Sequence, residues 1–284
     1  MSLDRMLTKL EENRKRSRAK PQEIIEISRG LFTNWSDAVL RIPNFALRSA
    51  LFAAVGRGHR PHFERARINA LGGNSIIYTG ALLDQDDLEV WEALLHLTLI
   101  QGVECQISGY RLLKYLGKTD TGKNRAILDK QLSRMNATAL QVRIGEHSYE
   151  GSLIHEIYRD HATRNYIIRL NPNLRVLFFS DQFTDLDRAI RRNLRGKPLA
   201  QWLHGFYATH ARPFDLKVET LHKLCGSRAI CLSNFKKDLR RAFDSVEKAR
   251  VAVGQPFSYS IDDNLVRVKT TPTPSQQRHL TRRS

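Results

Sequence analysis

The sequence predicts an α+β fold in which one helix-and-strand pattern runs twice along the chain. Three observations carry this. The 284 residues suffice for two ordinary domains, and 41% of them are hydrophobic, so each half can bury a core. Apolar residues recur at helical spacing in some segments and alternate in others. A short helix, a glycine turn, a longer helix and a pair of alternating segments follow one another once in each half. The expected division is a basic N-terminal arm (1–30), a first domain (31–170), a second domain (171–270) and a basic tail (271–284).

In the arm, residues 1–20 carry seven basic side chains (Arg5, Lys9, Arg14, Lys15, Arg16, Arg18 and Lys20) against three acids. Leu3, Met6, Leu7 and Leu10 could line one side of a short amphipathic helix. The first domain opens with an apolar segment, Phe45–Val55. Arg65–Leu71 and Ser75–Tyr78 read as strands around the turn Gly72-Gly73-Asn74. A helix from about Asp84 to Leu99 begins with three acids that suit its N-terminus and aligns Leu88, Trp91, Leu94, Leu95 and Leu99. Glu104–Ile107 is a short strand. Ser108 then caps a helix through Leu116, and a second helix covers about Asp120 to Thr138. Leu140–Ile144 turns back through Gly145-Glu146-His147 towards Tyr149–Tyr158, and Asn165–Leu170 is a further strand candidate.

The second domain repeats the order. Pro198 suits a helix's first turn, and Leu199, Trp202, Leu203, Phe206 and Tyr207 form one buried face. Phe214–Val218 is a short strand, Glu219–Leu224 a helix stopped by Gly226, and about Ala229–Val251 a longer helix. Phe257, Tyr259 and Ile261 alternate into Asp262-Asp263-Asn264, after which Leu265–Lys269 returns. Helix, turn, helix and hairpin is the order of a winged helix, so the expected architecture is two tandem winged-helix domains. The tail, with Thr270-Thr271-Pro272-Thr273-Pro274 and Arg282-Arg283, reads as frayed.

Charge narrows the function. Forty-six Lys and Arg face 29 Asp and Glu, a formal net charge of +17. Such an excess fits a polyanion, because neutralised phosphates release counterions. No apolar run approaches the roughly eighteen residues of a membrane helix, and no signal-like stretch follows Met1, so a cytoplasmic, DNA-associated protein without membrane contact is expected. Cys105, Cys225 and Cys231 form no CxxC pair and match no zinc spacing.

Two segments carry the expected binding. On a helix over Leu232–Arg250, Leu232, Phe235, Leu239, Ala242, Phe243 and Val246 share one side. Lys237, Arg241 and Lys248 lie opposite, flanked by Asn234 and Arg240. Ser227 and Arg228 sit in the turn before it. In the first domain, Leu128, Leu132 and Met135 are the apolar side, against Lys123, Lys130 and Arg134. Lys118 and Thr121 are further DNA-binding candidates before the helix, and Asn124 and Arg125 stand in its first turns, where recognition helices usually read base edges. A plain solvated helix face is the alternative in both cases.

Catalysis finds little support. Gly117-Lys118-Thr119-Asp120-Thr121-Gly122-Lys123-Asn124 falls one residue short of a phosphate-binding P-loop. Asn124 stands where Ser or Thr should bind magnesium, and a helical run precedes the loop instead of a strand. His59-Arg60-Pro61-His62 lacks the spacing of a nicking enzyme's metal site. The basic cluster Arg57, Arg60, Arg65 and Arg67 could touch phosphate or solvent. No catalytic, metal-binding or cofactor-binding residue is assigned, and no enzymatic activity is expected.

The strings Lys118–Arg125, Arg195-Gly196-Lys197-Pro198-Leu199-Ala200-Gln201-Trp202-Leu203-His204-Gly205-Phe206-Tyr207, Pro43–Phe52 and Leu83–Ala93 resemble the TrfA replication initiators of broad-host-range bacterial plasmids. The resemblance runs from about Trp35 to Ala249. It implies binding of double-stranded origin DNA at direct repeats (iterons), local melting of an AT-rich region with contact to single strands, and recruitment of the host replicative helicase with the host initiator. It also implies monomer–dimer exchange and a contact with the host sliding clamp. Leu51 and Phe52 match the last two residues of the clamp-binding pentapeptide, although both could instead pack inside a helix. A transcriptional repressor would use the same modules without melting DNA.

Overall fold

The computed structural model describes residues 39–56, 58–73, 75–101, 104–145, 147–178, 183–273, 276, 277 and 281. The expected basic arm, with its Leu3–Leu10 helix, lies outside them, as do Arg57, Asn74, Glu146 and the Arg282-Arg283 end.

The first half begins with strand β1 (Val39–Pro43), one helical turn α1 (Asn44–Leu47) and β2 (Phe52–Ala53). Strands β3 (His62–Ile68), β4 (Ser75–Ala81) and β5 (Leu83–Asp84) lead into helix α2 (Gln85–Gln101). Asp84 and Asp87 lock the start of α2 reciprocally: Asp87 N donates to Asp84 Oδ1 at 3.0 Å, and Asp84 N donates to Asp87 Oδ2 at 3.1 Å. This satisfies donors that a helix start leaves orphaned. Leu88, Trp91, Leu94 and Leu95 point into the core, where Trp91 stacks on Phe52 at 5.6 Å.

After α2 come β6 (Glu104–Ser108), α3 (Gly109–Tyr115) and α4 (Gly122–Asn136). Four strands follow: β7 (Ala139–Ile144), β8 (His147–Gly151), β9 (Ile154–Asp160) and β10 (Asn165–Leu170). Here the strands differ from expectation. Leu140–Ile144 does pair with its neighbour, but β7 and β8 extend β4 in a sheet ordered β3-β4-β7-β8. The hairpin that pairs with β6 beside α3 and α4 is instead β9–β10, in the order β6-β10-β9. Residues 149–158, expected as one strand, break at Ser152-Leu153 and serve two sheets. Leu153 and Ile154 are buried at this crossing.

A 3₁₀ turn (Pro172–Phe178) and β11 (Phe183–Asp187) then bring the chain back to β1, with Val39 opposite Asp187. Buried apolar side chains form two clusters, one from Leu40 to Leu186 and one from Ile190 to Val268. Leu174, Leu177 and Leu186 belong to the first. Leu174, Leu177 and β11, assigned from sequence to the second half, therefore pack with the first, because β11 pairs with the strand that opens it.

The second cluster is built from α5 (Arg188–Asn193), α6 (Pro198–Ala208), β12 (Leu216–Lys217), α7 (Val218–Leu224), α8 (Leu232–Val251), β13 (Phe257–Asp262) and β14 (Leu265–Thr270). The sheet order is β12-β14-β13. Pro198 occupies the first turn of α6, as its fixed φ favours. Trp202, Leu203, Phe206 and Tyr207 are buried, and Trp202 stacks on Phe206 at 4.8 Å. Both halves thus contain a helix, a strand, a helix pair and a hairpin in that order, with the strand and hairpin in one three-stranded sheet; in the first half β7 and β8 intervene between the helix pair and the hairpin.

Polar bonds fix the two units to one another. Arg191 Nη2 donates to Glu92 Oε1 at 2.7 Å, with both side chains buried. Arg195 reaches Glu89 at 2.6 Å and Gly117 O at 3.2 Å. Trp202 Nε1 donates to Ser49 O at 3.0 Å, and Ala54 N to Cys225 O at 2.7 Å. At Gly226, with φ +64°, a Cβ would come within 2.9 Å of the Ala53 Cβ. Both the turn conformation and the close approach call for glycine there.

Candidate nucleic-acid interface

Helix α4 starts from a capped turn. Thr121 Oγ1 accepts from Asn124 N at 3.2 Å. Asn124 Nδ2 donates back to Thr119 O at 2.8 Å and to Thr119 Oγ1 at 3.1 Å. Arg125 lays its guanidinium fork on Asp120, with bonds of 2.5 and 2.6 Å. The Arg125 bonds hold the Asp120 carboxyl below its ordinary pKa. The segment that resembles a P-loop is therefore the turn between two helices, closed by its own side chains.

Lys123 and Lys130 are exposed on α4, as the helical spacing requires. Two other cations expected beside them turn inward. Arg134 donates to Asp87 Oδ1 at 2.9 Å with only 16% of its side chain exposed. Asp87 is fully buried and also takes an Arg60 bond, so these guanidiniums neutralise a carboxylate that holds the start of α2. Lys118 pairs with Glu89 at 3.5 Å. Arg134 thus joins α4 to α2, and Lys118 joins the turn to α2.

Helix α8 is the longer counterpart. Phe235, Leu239, Ala242, Phe243 and Val246 are buried, while Asn234, Lys237, Arg240, Arg241 and Lys248 are exposed. Arg241 makes only a loose pair with Asp238, 3.6 Å away. Leu232, expected on the buried side, is 42% exposed, because the helix begins there and its first turn overhangs the core. In the preceding turn, Ser227 Oγ accepts from Ala229 N at 3.2 Å, and Arg228 Nη1 donates to His59 O at 2.8 Å. Ser227 shapes the turn, and Arg228 ties it to the first unit.

Leu51 and Phe52 need the clearest correction as surface-contact candidates. They are 1% and 0% exposed, and Phe52 lies against Trp91. Two adjacent apolar residues before a small-residue run are core material, and neither is available to a partner in this fold.

The hairpins add cations that the sequence reading left out. At the β9–β10 tip, His161 and Arg164 are exposed, and Arg159 bonds to Asp129 and to Ser133 of α4. Asp160 Oδ1 accepts from Ala162 N and Thr163 N, which shapes the tip. In the second unit, Tyr259 stacks on Phe243 at 4.6 Å and donates to Asp244 Oδ1 at 2.5 Å, holding β13 to α8. Lys217 and Lys269 are exposed on this sheet. The signal for the first tip was the Asp160–Arg164 run, obscured by reading 149–158 as one strand.

Among the described residues no three His, Cys, Asp or Glu side chains gather as a metal site, and no helix is long and apolar enough to cross a membrane.

Two consecutive units of like order, each presenting the start of a cationic helix, define a basic two-unit protein with a charged face on each unit. The chain belongs to the TrfA protein family, whose model matches residues 8–270. This is a family of plasmid replication initiators. Plasmid replication initiator protein TrfA of Escherichia coli is 28% identical over 238 residues, which cover 79% of this chain and 62% of that protein. The chain thus matches less than two thirds of the relative's length. Two crystal structures of domains 2 and 3 of RctB share the fold at 16% identity, with TM-scores of 0.51 and 0.52. They cover 80% and 78% of this chain, and 97% and 94% of their own.

Proposed function

We propose that this chain initiates plasmid replication by binding repeated sites in duplex origin DNA through two winged-helix domains, without catalytic chemistry of its own. In this reading α4 and α8 are the recognition helices, and β9–β10 and β13–β14 are the wings. The observation that carries it is the helix pair followed by a sheet-completing hairpin in both units, with β7–β8 inserted in the first, and exposed cations on the second helix of each pair. A helix of this kind can enter a major groove while its lysines and arginines meet phosphates. Membership of the TrfA family supports origin repeats as the target. Melting of an AT-rich segment, recruitment of host helicase and initiator, and monomer–dimer exchange are part of the same proposal. The sliding-clamp contact has no support at Leu51 and Phe52.

The test supplies the protein in trans to a plasmid whose only origin is the candidate fragment. Maintenance is expected with the wild-type chain and loss with the Lys237→Ala, Arg241→Ala double variant. Repression of a promoter on that fragment without maintenance would favour a repressor instead.

A further inference from the structure

Ile230 is the most exposed large apolar residue described, at 105% of its reference surface. It stands in the turn between α7 and α8, one residue before the N-cap of α8, Cys231. An isoleucine that touches nothing in its own fold contributes nothing to the core, and its exposure in water is unfavourable.

The turn is nevertheless well fixed on both sides of it. Ser227 N donates to His222 O at 3.2 Å, and His222 Nε2 lies 3.0 Å from Ala229 O. The His222 ring packs edge-on against buried Phe235 at 4.8 Å. Phe235 N donates to Cys231 O at 3.1 Å. The backbone thus presents Ile230 at the leading end of α8, in a region that also exposes Arg228, Asn234 and Lys237.

The equivalent position in the first unit, one residue before the N-cap Thr121, is Asp120, whose carboxylate is held by Arg125. The two helices therefore lead with opposite chemistry. Cationic surroundings with an apolar tip, Ile230 fully exposed and Leu232 partly so, match a feature of duplex DNA: the thymine 5-methyl group is the apolar element displayed on base edges in the major groove.

We infer that Ile230 is a specificity determinant of the second unit and selects thymine through its 5-methyl group. The inference rests on the DNA-binding reading above and adds the base feature that is read.

The test uses the full chain and an origin fragment made with either thymine or uracil. Uracil removes the methyl and keeps the pairing edge. Wild-type protein should bind the uracil fragment about four- to fifteenfold more weakly, the effect of losing one or two buried methyl groups. Ile230→Ala should bind the thymine fragment more weakly by a similar factor, with its thymine-to-uracil ratio reduced towards one. Its melting temperature should match the wild type, since the side chain packs on nothing. An unchanged ratio in the variant overturns the inference, as does a lowered melting temperature, which would reveal a structural role. A scrambled thymine fragment separates the two readings. If wild-type protein does not prefer the origin fragment to the scrambled one, the DNA-binding proposal itself fails. If it does, and the ratio is insensitive to Ile230, only the methyl assignment falls.

Discussion

At the residue scale, the proposed DNA contact along α4 separates bases from backbone. Asn124 stands in the first turn, half-buried and already bonded to Thr119, so its amide is oriented before any DNA arrives. Lys130 is exposed two turns later. An oriented amide suits a base edge, whereas an exposed ammonium suits a phosphate. Asn124→Ala is expected to narrow the preference for origin over random DNA by roughly 1–3 kcal/mol. Lys130→Ala should weaken both by a similar factor. Competition binding with the two DNAs checks this, and an unchanged preference in Asn124→Ala would remove α4's first turn from sequence reading. Spacing placed these residues on the surface of α4 but could not sort Arg134 from Lys130. Both lie on the polar side of the helix, and only the buried Asp87, 47 positions away in sequence, draws Arg134 inward.

At the element scale, α8 divides its work between faces. Lys237 and Arg241 stand in solvent, whereas Trp202 of the neighbouring α6 is buried, stacked on Phe206 and bonded to Ser49 O. Lys237→Ala with Arg241→Ala should weaken DNA binding and leave thermal unfolding nearly unchanged. Trp202→Ala should cost about 3–5 kcal/mol of stability. Denaturant melts of the two proteins decide it, and a larger loss in the lysine–arginine variant would contradict the assignment of faces. These helices were legible in sequence because their apolar period extends over three or more turns. The strands were less so. Alternation in β7 and in β9 looks alike, and nothing local says that β7 joins β4 while β9 joins β10. The pairing of β1 with β11 spans more than 140 residues and has no local signal at all.

For the whole molecule, the contact between units decides how the two helix faces are spaced. Its centre is the buried pair of Arg191 and Glu92. Burial, opposed by Arg191 and reinforced by Glu89, pushes the Glu92 carboxyl from 4.5 up to about 7. A carboxyl whose folded pKa is raised binds its proton more tightly when folded. Its favourable contribution is complete below about pH 4.5 and is lost as pH rises through 7. Melting temperature measured across that window should therefore fall more steeply with pH in the wild type than in Glu92→Gln. Equal slopes would mean that the carboxyl is ionised throughout, held by Arg191.

The central claim, that both units read DNA side by side, is tested most directly by hydroxyl-radical footprinting on the origin fragment. The account predicts two protected patches in each repeat. Lys123→Ala with Lys130→Ala should lighten one patch, and Lys237→Ala with Arg241→Ala the other. A single patch per repeat, or a footprint indifferent to one of the two pairs, would contradict it.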